Sequence, residues 1–119
     1  MVALLVVFGA AGSALIATNT GQGGARTITF NLAVTGSNTM TVVGTSTSPY
    51  NLRAHQSDTI TINVVSDREG EVHLHVYDVA FDVQPGRGAT HTFKADKTCT
   101  CEIEWESTGT HLGTLTVSP

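Results

Sequence analysis

Apolar and polar residues alternate along most of this chain from Arg26 onward. Ile28, Phe30, Leu32 and Val34 alternate with Thr and Asn, and the same period of two runs through Met40 and Val42, then through Ile60, Ile62 and Val64. It returns at Cys101, Ile103 and Trp105, which alternate with Glu102, Glu104 and Glu106, and the chain closes on Leu112, Leu115 and Val117. A period of two sends successive side chains to opposite faces of a strand. Turn signals separate the runs: Gly36-Ser37-Asn38, Gln56-Ser57-Asp58, Asp67 to Gly70, Gln84-Pro85-Gly86, Lys94 to Thr98 and Ser107 to Thr110. Ser46 to Pro49 reads as loop, and Tyr50 to Ala54 and Ala89 to Phe93 as short strands. The pattern predicts an all-β domain of about seven or eight short strands, with no helix. Two antiparallel sheets packed face to face, joined by Greek-key connections, bury such faces.

The densest alternation is Glu71 to Asp82, EVHLHVYDVAFD. Read as one strand, it puts His73, His75 and Tyr77 on one face and Val72, Leu74 and Val76 on the other. The apolar face requires a core. The polar face sets two imidazoles and a phenol side by side.

Charge changes the picture at the N-terminal end. No charged side chain precedes Arg26. Val2 to Ala17 is apolar or small throughout, which predicts a signal peptide or a membrane anchor over residues 1–17. Those residues lack the amphipathic pattern of a buried core segment. Residues 18–25, Gly-rich and polar, predict a flexible linker, and residues 26–119 the folded domain. The expected location is extracytoplasmic: periplasmic, secreted or tethered to the membrane. The net charge is −4 with no basic cluster, which excludes a nucleic-acid partner. There is no Ser-His-Asp context, nucleophile elbow or phosphate loop, so no catalytic residue is assigned and no enzyme is expected. Cys99 and Cys101 are one residue apart. Alternate residues of a regular strand sit about 6.7 Å apart with parallel side chains, so no bridge between them is expected.

The order of these features resembles the cupredoxins, a superfamily of small exported β-sandwiches, many of which bind one copper ion. The resemblance runs from Arg26 to Pro119. QSDTITINVVSD is similar to the family strand that follows a Gly-Asp turn, with Ser57 where Gly is usual. Val72 to Asp78, Pro85-Gly86 and Leu112 to Val117 resemble an uncharacterised bacterial branch with V-H-x-H-G-Y-D, P-G and L-G-x-L-x-V motifs. Val76 stands where that branch has Gly. The resemblance implies His73 at the first copper-ligand position, Trp105 at the cysteine position, Thr108 at the second-histidine position and His111 at the axial position. A blue-copper site needs a thiolate and two imidazoles. The ligand set is therefore incomplete, and an electron carrier of that type is not implied.

The surviving candidates for a metal site are His73, His75 and His111, with copper as the implied ion and another divalent metal as an alternative. Glu104 and Glu106 are weaker candidates, because their parity opposes Trp105 and sends them to solvent. Cys99 and Cys101 are weaker soft-metal candidates, since Cys101 shares the apolar parity of Ile103 and Trp105. Against all of these stands a half-exposed histidine pair satisfied by Asp78, Tyr77 or backbone. In that case the domain is a metal-free structural or interaction module whose protein partner the sequence does not name.

Overall fold

The computed structural model describes residues 26–44 and 50–119. The apolar segment 1–17, the linker 18–25 and the loop expected from Ser46 to Pro49 lie outside the described residues. Those residues form nine strands: β1 (Thr27–Thr35), β2 (Thr39–Val42), β3 (Tyr50–His55), β4 (Thr59–Ser66), β5 (Gly70–Leu74), β6 (Val79–Val83), β7 (Ala89–Lys94), β8 (Cys99–Trp105) and β9 (Thr110–Ser118). They contain no helix.

The strands make two sheets, in the orders β2-β1-β4-β7 and β3-β9-β8-β5-β6. The expected all-β sandwich is observed, with two differences. Both sheets are mixed, because β1 pairs with β4 and β3 pairs with β9 in parallel. There are also nine strands rather than seven or eight, because EVHLHVYDVAFD is not one strand. It breaks into β5 and β6, which pair antiparallel with Leu74 opposite Val79, across a turn of residues 75–78. The sequence marks that break by a change of phase: Val72, Leu74 and Val76 are apolar at even positions, and Val79, Phe81 and Val83 at odd ones, so one continuous strand would send the two sets to opposite faces. The chain reverses there through positive φ at Val76 (73°) and Asp78 (55°). Val76 is also 54% exposed, so it is no part of the apolar face. Tyr77 leaves the expected row too. Its ring lies 5.0 Å from that of Phe93, and its hydroxyl exchanges hydrogen bonds with the backbone N–H and carbonyl of Lys97.

The core lies between the sheets, where the alternating apolar residues meet. Ile28, Leu32 and Val34 of β1 and Ile60, Ile62 and Val64 of β4 face Val72, Leu74, Phe81, Ile103, Trp105 and Leu115 of the other sheet. Burying each large aliphatic or aromatic side chain stabilises the fold by roughly 1.5–3 kcal/mol. Trp105, 3% exposed, fills volume that only a glycine leaves open: a Cβ on Gly70 would fall within 2.1 Å of the indole ring.

Asp58 ties the start of the domain to the β3–β4 turn. Its buried carboxylate accepts from the Arg26 guanidinium at 2.8 Å and from the His55 backbone N–H at 2.8 Å. Burial pushes this carboxyl up, but the bonds from Arg26 and from the His55 and Arg26 backbones outweigh it and hold Asp58 below the usual carboxylate range. The turn residue Ser57, at a glycine position by resemblance, has φ 81°.

The cysteines correct the expectation. Cys99 and Cys101 are joined in a disulfide, and no described cysteine is free. A regular strand holds alternate Cα atoms at the edge of disulfide range with parallel side chains, but here they lie 5.4 Å apart, well within it. Cys99 is the first residue of β8. Neither sulfur is left as a thiolate, which removes both from the set of metal ligands.

Candidate metal centre

The alternation that builds the core also sets the composition of the opposite face. On β8, Cys101, Ile103 and Trp105 point inward, so Glu102 and Glu104 point outward. On β5, Val72 and Leu74 point inward, so Glu71 and His73 point outward. β5 and β8 are neighbours, with His73 paired to Glu104. The H-x-H and E-x-E stretches, about thirty residues apart in the chain, therefore share one outer surface. His75 lies just past the end of β5, but its backbone N–H still donates to the Glu102 carbonyl at 2.9 Å, which keeps it in line with β8.

Among the described residues, one group has the donors and spacing to hold a metal: His73, His75 and Glu104, all half-buried, with donor atoms within 4.8 Å of one another. His75 Nε2 lies 3.1 Å from Glu104 Oε2, yet the two are not aligned as a hydrogen bond, and Nε2 has no hydrogen-bond partner. Two donors bound at about 2.0–2.1 Å to one ion sit roughly 3 Å apart, so the spacing is compatible with a shared ion, and the poor alignment is what sets it apart from a direct bond. The imidazoles of His73 and His75 meet edge to face, 4.7 Å between centroids.

Asp78 determines which nitrogen of His73 is available. His73 Nε2 donates to Asp78 Oδ1 at 2.8 Å. A carboxylate only accepts, so in the neutral ring the proton stays on Nε2 and the lone pair on Nδ1. That Nδ1 is buried without a hydrogen-bond partner, 3.7 Å from Glu106 Oε1. A carboxylate behind a histidine orients the ring and raises its basicity toward an ion, as in many metal sites. The Asp78 hydrogen bond chiefly raises the His73 pKa above its ordinary value. Burial opposes the rise, and the charges of Glu106, Asp78 and Glu71 add to it.

A divalent ion fits this group on three counts: two buried imidazole nitrogens make no hydrogen bond, a carboxylate lies beside them, and a second carboxylate orients one ring. His73 Nδ1, His75 Nε2 and Glu104 would hold it, and the bound ion would supply Lewis acidity at an open coordination position.

The remaining sequence candidates fall elsewhere. His111 is outside this group of three and pairs with Glu102, Nδ1 to Oε2 at 3.0 Å. Glu106 stands beside His73, positioned by a backbone hydrogen bond to Glu71. His55 accepts from Arg26 Nη2 at 2.9 Å if its Nδ1 is unprotonated, and His91 packs edge to face on Phe81 at 5.0 Å between ring centroids. Sequence reasoning gave Glu104 too little weight. Its outward parity was visible, but the pairing that brings it to the histidines was not.

No protein-family model matches the sequence, and no curated protein matches it. Solved structures do share its fold. A multicopper oxidase superposes with a TM-score of 0.61 at 14% identity, over 89% of this chain and 47% of its own. Copper nitrite reductase from Nitrosomonas europaea gives 0.57 at 17% identity, over 79% and 42%. A copper binding protein, solved by NMR in the apo form, gives 0.51 at 13% identity, over 87% and 98%. The chain spans less than half the length of that oxidase and reductase. The likeness shows a cupredoxin-like fold.

Proposed function

We propose that this cupredoxin-like domain binds one divalent metal ion, copper foremost, through His73, His75 and Glu104. The observation that carries the reading is the pair of buried imidazole nitrogens, His73 Nδ1 and His75 Nε2, left without hydrogen-bond partners beside a carboxylate. Unpaired buried polar atoms are costly, roughly 1–3 kcal/mol each, and an ion removes that cost. The fold neighbours are a multicopper oxidase, a copper nitrite reductase and a copper binding protein, which supports copper over other ions. Metal handling suits the site better than electron transfer, because both sulfurs are consumed in the disulfide and Trp105 is buried in the core. The disulfide and the uncharged N-terminal stretch support an extracytoplasmic location, secreted, periplasmic or tethered through residues 1–17.

A metal-free interaction module is the second reading. The His73–Asp78 pair favours it, since it satisfies one imidazole nitrogen without an ion. It leaves the other two nitrogens unexplained.

Titration of the full chain with Cu(II), followed by electron paramagnetic resonance, separates the two. One ion per chain is expected, with nitrogen hyperfine coupling and no intense blue absorption. The signal disappears when His73→Ala and His75→Ala are combined. A signal that survives the double substitution, or no stoichiometric signal at all, sinks the proposal.

A further inference from the structure

The outer face continues past the three candidate ligands. Glu104 is the Cα partner of His73 on β5 and, on its other side, of His111 on β9. That second pairing depends on an irregularity in the ladder. Ile103 pairs with Gly113 and Glu104 with His111, so Leu112 is skipped. In a regular ladder Leu112 would stand opposite Glu104 and point outward. The bulge instead turns Leu112 into the core, at 0% exposure, and re-aims His111 to the outer face. There His111 Nδ1 meets Glu102 Oε2 at 3.0 Å, two residues along β8 from Glu104. Alternate residues of a strand are about 6.7 Å apart, and cross-strand partners about 5 Å. A second imidazole–carboxylate pair thus lies one side-chain length from the first group.

The two groups differ in access. The side chains of His111 and Glu102 are 48% and 42% exposed, against 18% for His73 and 16% for Glu104, and only His75 of the inner group, at 41%, is equally open. From this row we infer that His111 and Glu102 form a second, weaker divalent-ion station through which ions enter and leave the His73–His75–Glu104 site. The inference rests on the proposed metal site and adds a route to it. An ion held by half-buried donors leaves by exchanging one ligand at a time. An exposed imidazole and carboxylate at the next position receive it before the last inner bond breaks, which lowers the barrier to exchange without adding to the affinity of the inner site.

The test uses the full chain and Cu(II). At one equivalent, His111→Ala and Glu102→Gln each keep the ion, with an affinity change smaller than the about 10-fold that marks loss of a supporting contact. At two equivalents the wild type takes up a second, weaker ion that both variants lose. In stopped-flow transfer of the first ion to excess EDTA, the variants release it about tenfold more slowly, an added barrier of about 1.4 kcal/mol. Circular dichroism checks that both variants are folded. Unchanged release rates overturn the station, as does loss of the first ion in His111→Ala, which would make His111 a primary ligand. A wild type that binds no copper overturns the metal site beneath it. Copper binding with unchanged exchange overturns the route alone.

Discussion

The two outer faces of this sandwich are built by the same alternation and filled with different chemistry. On the four-stranded sheet the outward residues include Thr29, Asn31, Thr61, Asn63, Thr90 and Thr92, uncharged apart from Lys94 at one end. They satisfy one another: Thr61 with Thr92 at 2.9 Å, Asn63 Nδ2 donating to Asn31 Oδ1 at 2.7 Å, and Thr90 donating to Asn63 Oδ1 at 2.5 Å. On the five-stranded sheet the outward side carries Glu71, His73, Asp82, Glu102, Glu104 and His111, with His75, Asp78 and Glu106 at its end. Here the imidazoles pair with carboxylates, His73 with Asp78 and His111 with Glu102, while His73 Nδ1 and His75 Nε2 make no hydrogen bond. A strand pattern dictates only that outward residues be compatible with water. Where those residues are ionisable and crowded, the face offers donors to an ion that the threonine and asparagine face does not.

The largest expected effect breaks the histidine face from beneath. Gly70→Ala places a methyl within 2.1 Å of the Trp105 ring. Overpacking of this kind destabilises by about 3 kcal/mol. Urea unfolding reads the loss, and copper affinity falls with it because β5 and β8 shift apart. Asn31→Ala makes the opposite cut. It strands Asn63 Nδ2 and costs about 1 kcal/mol by the same measurement, while copper affinity stays at the wild-type value. If Asn31→Ala weakens copper binding, the two faces are not independent.

Val76→Gly sharpens the comparison at the end of the histidine face. A β-branched residue at φ 73° is strained, and glycine is not. The variant gains about 1 kcal/mol of stability, seen as a raised midpoint in thermal unfolding. A lowered midpoint shows that the exposed valine makes a stabilising contact instead.

The smallest effect is a pH dependence confined to one face. In the ion-free protein the folded-state pKa of His73 is raised, so protonation of His73 favours the folded state. Its contribution is fully present below the ordinary histidine value of about 6.5. It is lost as pH rises through the raised value. Unfolding midpoints should therefore decline over that window in the wild type and decline less in His73→Gln. Equal declines in both place the titration on another group.

Much of the fold was legible because burial imposes a period. Ile28 to Val34, Ile60 to Val64 and Cys101 to Trp105 announce their inward faces, and the Pro-Gly and Gly-Ser-Asn turns announce the reversals. The break inside EVHLHVYDVAFD was legible only as a slip of phase: the apolar positions pass from Val72 and Leu74 to Phe81 and Val83, an odd number of residues on, and the alternation within each half hides it. The disulfide escaped because an ideal strand sets alternate residues at the edge of disulfide reach with parallel side chains, and the local contraction at Cys99 and Cys101 leaves no mark in the sequence.

The sequence by itself determined which residues face the core and which face water, because the energetic gain of burying apolar surface repeats with strand geometry. It also supplied the candidate donors. Which donors meet was decided by the tertiary structure alone. His73 and Glu104 are neighbours because β5 pairs with β8, and His111 is aimed at Glu102 because a bulge in β9 turns Leu112 inward. Strand order and register arise from the packing of the whole sandwich, and no local pattern of residues carries them.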